Sequence, residues 1–182
     1  MAEGRADPAA QPRRPYAAPR LIQWTEAGLQ EAGHLWLRVQ GASMLPFLQE
    51  GDRLLLLPLS DGEPRMGDLL VFVQGEHLVV HRLLGRDGDR LCLAGDALGQ
   101  ADPSVDRDAL LGRASTLVCR WGRADLDQRP WPAFQALLAV LARWRLAGGW
   151  PGRVAARLQN LLAAKLPPLL ARGDGVGGRR RG

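Results

Sequence analysis

Apolar and polar residues alternate in short runs through the middle of the chain and recur at helical spacing towards both ends. Leu35, Leu37 and Val39 alternate with Trp36, Arg38 and Gln40, the period-two pattern of a half-buried strand. Further apolar runs occupy residues 53–59, 68–74, 77–84, 90–94 and 114–120. Turn residues separate them: Gly51-Asp52, Asp61-Gly62-Glu63-Pro64, Gly75 and Asp87-Gly88-Asp89. Five or six short strands in this compass predict a compact, mostly antiparallel β domain. Ahead of it, Leu21, Ile22, Thr25 and Leu29 share one side of a short helix that ends at Gly33. Behind it, Phe134, Leu137, Leu138 and Leu141 mark one amphipathic helix, and Val154, Leu158, Leu161 and Leu162 mark a second. Gly148-Gly149 and Pro151 divide the two helices, and Pro167-Pro168 ends the regular part of the second.

The predicted class is therefore mainly β, α+β overall. The organisation read from the pattern is a disordered leader at 1–20 and a β-rich domain at 21–128. A basic amphipathic helical tail at 129–172 and a disordered end at 173–182 follow. No stretch in the first 128 residues approaches the roughly 20 apolar residues that span a bilayer. The basic start is not followed by the apolar segment of a secretory signal.

Charge sharpens this division. Residues 1–128 carry 14 arginines against 18 acids, whereas residues 129–182 carry nine arginines and Lys165 against Asp174 alone. The first region is balanced like a soluble domain; the second is strongly cationic and suits an acidic partner surface. Two readings of this region stand together: its amphipathic helices pack on the β domain with their arginines solvated, or Trp131, Trp144 and Trp150 beside the arginines bring residues 129–172 into peripheral contact with an anionic membrane. No nucleic-acid reader motif accompanies the charge, so nucleic acid is not an expected partner. Two cysteines, Cys92 and Cys119, cannot build a disulfide scaffold and read as small buried residues. His77 and His81 are four apart, but on a strand that spacing does not assemble a metal site.

The candidate chemistry lies in two stretches. In VQGASMLPFLQEGDRLLLL, Ser43 follows Gly41-Ala42 and precedes Met44, Pro46 and Gly51-Asp52. A serine hydroxyl needs a positioned base to act as a nucleophile. In LVVHRLLGRDGDRLCLAGDALGQADPSVD, His81 offers that base, with His77 as a neighbour on the same strand face, and Asp96 and Asp102 follow in a loop.

These blocks resemble the serine peptidases of the signal peptidase and LexA-like group. The first is similar to that group's Ser-Met, any residue, Pro, then Gly-Asp pattern. The second resembles the histidine-arginine block and Gly-Asp-Ala loop of the archaeal and endoplasmic-reticulum signal peptidases. Leu111-Gly112-Arg113-Ala114 resembles the strand that closes the group's domain. Most bacterial signal peptidases and LexA-like proteins use a Ser–Lys dyad, but residues 1–164 contain no lysine; His81 stands before Arg82, where that lysine would be. The resemblance implies Ser43 as nucleophile, His81 as base and then acid, and Asp102 as the orienting carboxylate, with Asp96 as the alternative. An imidazole titrating near pH 6.5 suits this work. Gly41 stands where many members have a serine that joins the oxyanion hole, and Phe47 stands in place of a common threonine.

The implied activity is a cofactor-free, metal-free serine endopeptidase that removes a leader or signal-like segment from a peptide or protein. With no anchor read in the sequence, its expected location is cytoplasmic, peripheral on the membrane. Two alternatives stand beside it. One is a LexA-like self-cleaving regulator, although Ala27-Gly28 and Ala32-Gly33 lie close to Ser43. The other is a catalytically silent peptide-binding module of the same fold.

Overall fold

Eight strands form one antiparallel sheet, and the helices before and after it cover its faces. A computed structural model describes residues 18–59 and 63–171. The strands are β1 (Leu35–Arg38), β2 (Arg53–Leu57), β3 (Leu69–Gln74), β4 (His77–Asp87), β5 (Arg90–Ala94), β6 (Val105–Asp106), β7 (Leu110–Cys119) and β8 (Gly122–Asp125). Their order in the sheet is β1-β2-β7-β3-β4-β5-β6, with β8 paired to β7. The architecture is thus the mainly β, α+β fold that the pattern predicts. Strand β6 escaped the pattern because two residues show no period, and β8 because Ala124 is its one apolar residue.

Helix α1 (Ala18–Ala32) begins inside the stretch read as a leader, three residues before the helix's expected start at Leu21. Pro19 is compatible with this start, since proline is tolerated in a helix's first turn, where no N–H partner is needed. The rest of that leader and the end at 173–182 lie outside the described residues. After the sheet come α2 (Trp131–Ala147), α3 (Gly149–Lys165) and the short α4 (Pro167–Ala171), the last continuing in helix beyond the expected stop at Pro167-Pro168.

The main core lies between the sheet and α2. Leu54, Leu56, Leu69, Val71 and Leu117 meet Trp131, Phe134 and Leu138, and the segment that carries Ser43 enters through Met44, Phe47 and Leu48. A fully buried leucine of this kind contributes roughly 1.5–3 kcal/mol. A second cluster gathers Leu70, Phe72, Leu83, Leu91 and Leu93 on the opposite face of β3–β5. A register shift between Leu83 and Gly85 leaves Leu84 as an extra residue on β4, where it packs with Ala94 on Ala139 and Ala142 of α2. The bulge lets four successive residues, His81 to Leu84, all be buried.

Two faces differ from expectation. Cys92 is exposed, because on β5 it alternates with the buried Leu91 and Leu93; Cys119 is half-buried, and burial raises its thiol pKa to about 11. Helix α3 buries Gly152, Ala155, Gln159 and Ala163 rather than its large apolar residues. Close approach selects the small ones: a Cβ on Gly152 would stand 3.0 Å from the Trp144 carbonyl oxygen and 3.1 Å from that of Arg145. On α2, Leu137 is likewise exposed while Leu138 is buried.

Candidate active site

Ser43 occupies a tight turn between β1 and β2. Gly41 supplies a positive φ of 83°, and the buried Met44, Phe47 and Leu48 anchor the turn in the core. The Ser43 carbonyl accepts a 2.8 Å hydrogen bond from the Ala97 N–H, so the Ser43 turn is tied to the Gly95-Asp96-Ala97 loop. Gly95 is glycine for a direct reason. A Cβ there would stand 2.6 Å from the Ser43 carbonyl oxygen and 3.0 Å from His81 Nε2. The serine backbone and the imidazole therefore converge on the same point.

His81 lies on β4, paired across the sheet with Leu70, and is only 3% exposed. Its ring meets Phe72 edge-on, with centroids 5.9 Å apart. Nδ1 stands 2.6 Å from Asp102 Oδ2, and both side chains are buried. A carboxylate only accepts, so Nδ1 carries the shared proton and the lone pair of a neutral ring is on Nε2. Among the described residues Nε2 has no hydrogen-bond partner. Asp102 is itself held by its N–H, which donates to the Leu93 carbonyl at 2.9 Å.

Asp96, the alternative carboxylate, faces elsewhere. It accepts from Arg82 Nε at 2.9 Å and Nη2 at 2.6 Å, in a fully buried two-pronged pair. Gln159 Nε2 of α3 donates to the same carboxylate at 3.1 Å. Arg82 also donates to the Gly67 carbonyl and lies over the Phe47 ring. Arg145 of α2 reaches the Gly95 carbonyl at 3.2 Å. Burial pulls its guanidinium below the ordinary value, and the negative charge of Asp96 opposes that shift. Sequence reasoning missed these supports. The signal was Arg82 itself, an arginine inside the apolar run VVHRLL, which can be buried only with an anion. His77 is exposed at the start of β4 and takes no part in the arrangement.

A cleft of about 480 Å³ opens beside Ser43. Trp36, Leu37 and Val39 of the β1 segment form one wall, and Leu78, Val79 and Val80 of β4 form the other. Strand β1 ends the sheet, and β4 pairs with β5 only from Arg82 onward. Both walls thus present strand backbone not already used by a neighbouring strand among the described residues. Leu21 of α1 also borders the cleft.

A comparison with protein families matches residues 7–98 to Peptidase S24-like proteins, half of the chain. The chain belongs to the Peptidase S24-like family. Searches of curated proteins and of solved structures returned no match. The S24-like family is one of serine peptidases, self-cleaving LexA-like folds among them, so serine peptidase chemistry is the activity to which this membership points. The matched stretch contains Ser43, His81 and Asp96 and stops short of Asp102. Among the described residues no helix is long and apolar enough to cross a membrane.

Proposed function

We propose that this chain is a serine endopeptidase in which Ser43 is the nucleophile, His81 the base and then the acid, and Asp102 the residue that orients His81. The observation that carries the reading is the buried His81–Asp102 contact, with Nε2 unpartnered beside the Ser43 turn. In the first step the Ser43 oxygen attacks the scissile carbonyl carbon as its proton passes to His81 Nε2. His81 then gives that proton to the leaving amine as the C–N bond breaks, and an acyl-enzyme forms. Water, activated by the same nitrogen, releases the acid product and restores Ser43. Asp102 keeps the proton of Nδ1 in place and stabilises the imidazolium. The Ser43 N–H is the candidate donor for the developing oxyanion.

The substrate is an extended peptide, with a leader-bearing precursor as the proposed class. An extended segment between β1 and β4 would pair with both walls and be held by backbone bonds, with apolar side chains against Leu37, Val71 and Val80. Such pairing fixes the scissile bond before the chemistry begins. Self-cleavage is the second reading, favoured by one observation: Leu21, upstream of Ser43 in the same chain, reaches the cleft.

A fluorophosphonate probe tests the core of the proposal. The wild-type chain should be labelled, while Ser43→Ala should not be, and His81→Ala should be labelled on the order of 10⁴-fold more slowly or less. Unchanged labelling of Ser43→Ala refutes the nucleophile; normal labelling of folded His81→Ala refutes the base. Shortening of the purified chain at a rate independent of its concentration would select self-cleavage.

A further inference from the structure

Helices α2 and α3 carry large apolar residues on the wrong side for a core. At 100° per residue, Leu137, Val140 and Trp144 lie opposite the stripe of α2 that packs on the sheet. On α3 the sequence Trp150, Val154, Leu158, Leu161 runs opposite the buried Gly152, Ala155, Gln159 and Ala163. Trp150 is 71% exposed and Trp144 is 60% exposed, and these two stand at the end of α2 and the start of α3, around the Gly148-Gly149 turn. Single exposed apolar residues are ordinary; a run at helical spacing marks an interaction surface.

The charge carried by these helices has one sign. Residues 129–171 contain no aspartate or glutamate. Arg153 and Arg157 are exposed on the shoulder of the α3 stripe, with Lys165 at its end and Arg143 beside Trp144 on α2. We infer that the outward faces of α2 and α3 dock on an anionic lipid surface. The apolar stripe enters the headgroup boundary, the tryptophans settle at the interface, and the arginines meet lipid phosphates. A nucleic acid would satisfy the arginines but leave the aliphatic stripe without a partner. The inference does not depend on the proposed catalytic residues.

Cutting the chain before α2 would remove Trp131, Phe134 and Leu138 from the core, so point variants of the full chain are the better test. Vesicles containing phosphatidylglycerol should sediment the wild-type protein at low salt, and vesicles of phosphatidylcholine alone should not. Added salt should release it. Trp150→Ser with Leu158→Ser, and separately Arg153→Gln with Arg157→Gln, should each weaken partitioning about tenfold or more. Both should keep the wild-type circular dichroism spectrum and probe labelling. Absence of sedimentation with anionic vesicles overturns the inference. So does equal binding to phosphatidylcholine, or full binding by the Trp150→Ser, Leu158→Ser variant. Binding to duplex DNA with none to vesicles would assign the surface to nucleic acid instead.

Discussion

His81 and Arg82 are neighbours on β4, each paired with an aspartate from the same connection between β5 and β6, yet the two pairs are built for different ends. Arg82 and Asp96 point to one side of the strand and leave little unspent. Two guanidinium nitrogens and Gln159 meet the carboxylate, and a third nitrogen meets the Gly67 carbonyl. His81 and Asp102 point to the other side and stop one bond short, with Nε2 buried and unpartnered near the Ser43 turn. A saturated buried pair has nothing left to give to a substrate and serves to hold its loop. An unsaturated one keeps a lone pair free, as the base proposed above requires. The strand's alternation produces this division, because adjacent residues face opposite sides of a sheet.

Breaking the comparison at the open pair should have the largest effect. Asp102→Ala should lower kcat on the order of 10⁴-fold, because His81 loses the partner that fixes its tautomer. The protein should still fold, since His81 retains its packing on Phe72. Asp96→Ala should do the reverse in kind: it strands the Arg82 charge in the core and should cost roughly 3–5 kcal/mol of stability. Urea unfolding and steady-state kinetics on both variants separate the roles. If Asp96→Ala were as stable as the wild type while Asp102→Ala unfolded, the assignment would be inverted.

How far this division can be read in the sequence follows from the range of each interaction. Ser43, His81 and both aspartates stand out as local motifs, and the strands that carry them show their period. The choice between Asp96 and Asp102 does not, because it depends on which way a loop of several residues turns after β5. The partner Gln159 lies 63 residues from Asp96 in the chain, on a helix whose apolar periodicity points the other way. That periodicity misdirected the orientation of α3 for a physical reason. Close packing on α2 required Gly152; Ala155 and Ala163 fill the same buried face, and the larger residues were left outside. Hydrophobic pattern locates a helix reliably, but it identifies the buried face only when the core is what the apolar residues serve.

A third substitution tests the loop that joins the two pairs. Gly95→Ala introduces a Cβ 2.6 Å from the Ser43 carbonyl oxygen and 3.0 Å from His81 Nε2, with Leu98 Cγ at 2.9 Å. The carbonyl is backbone and cannot swing aside, so the Ser43 turn and the 95–97 loop must separate. A displacement near 1 Å at a reacting group costs on the order of 10²-fold in rate. The overpacking should also cost about 1–3 kcal/mol. Gly99→Ala is the control, since a Cβ there meets nothing within 4 Å. Full kcat/KM in Gly95→Ala would show that this contact does not set the nucleophile's position.

The smallest effect sharpens the comparison with an acid whose compensation is incomplete. Asp68, just before β3, has a side chain 13% exposed and accepts a 2.8 Å bond from the Arg65 N–H, while Arg113 lies 4.0 Å away. Burial raises its carboxyl pKa above the ordinary 3.8, and the Arg65 bond and the Arg113 charge only partly oppose that. For a carboxyl whose folded-state pKa is raised, the stabilising contribution is complete below the unfolded value and is lost as pH rises through the folded one. Ionised Asp68 is therefore a net cost at neutral pH. Asp68→Asn keeps an oxygen for the Arg65 N–H and removes the charge. Its stability relative to the wild type should improve as pH rises from about 3.5 to about 6.5, by less than about 1 kcal/mol. Urea midpoints of both proteins at the two pH values measure this. A variant that instead loses ground as pH rises would mean that attraction to Arg113 outweighs burial, and that Asp68 is as fully compensated as Asp96.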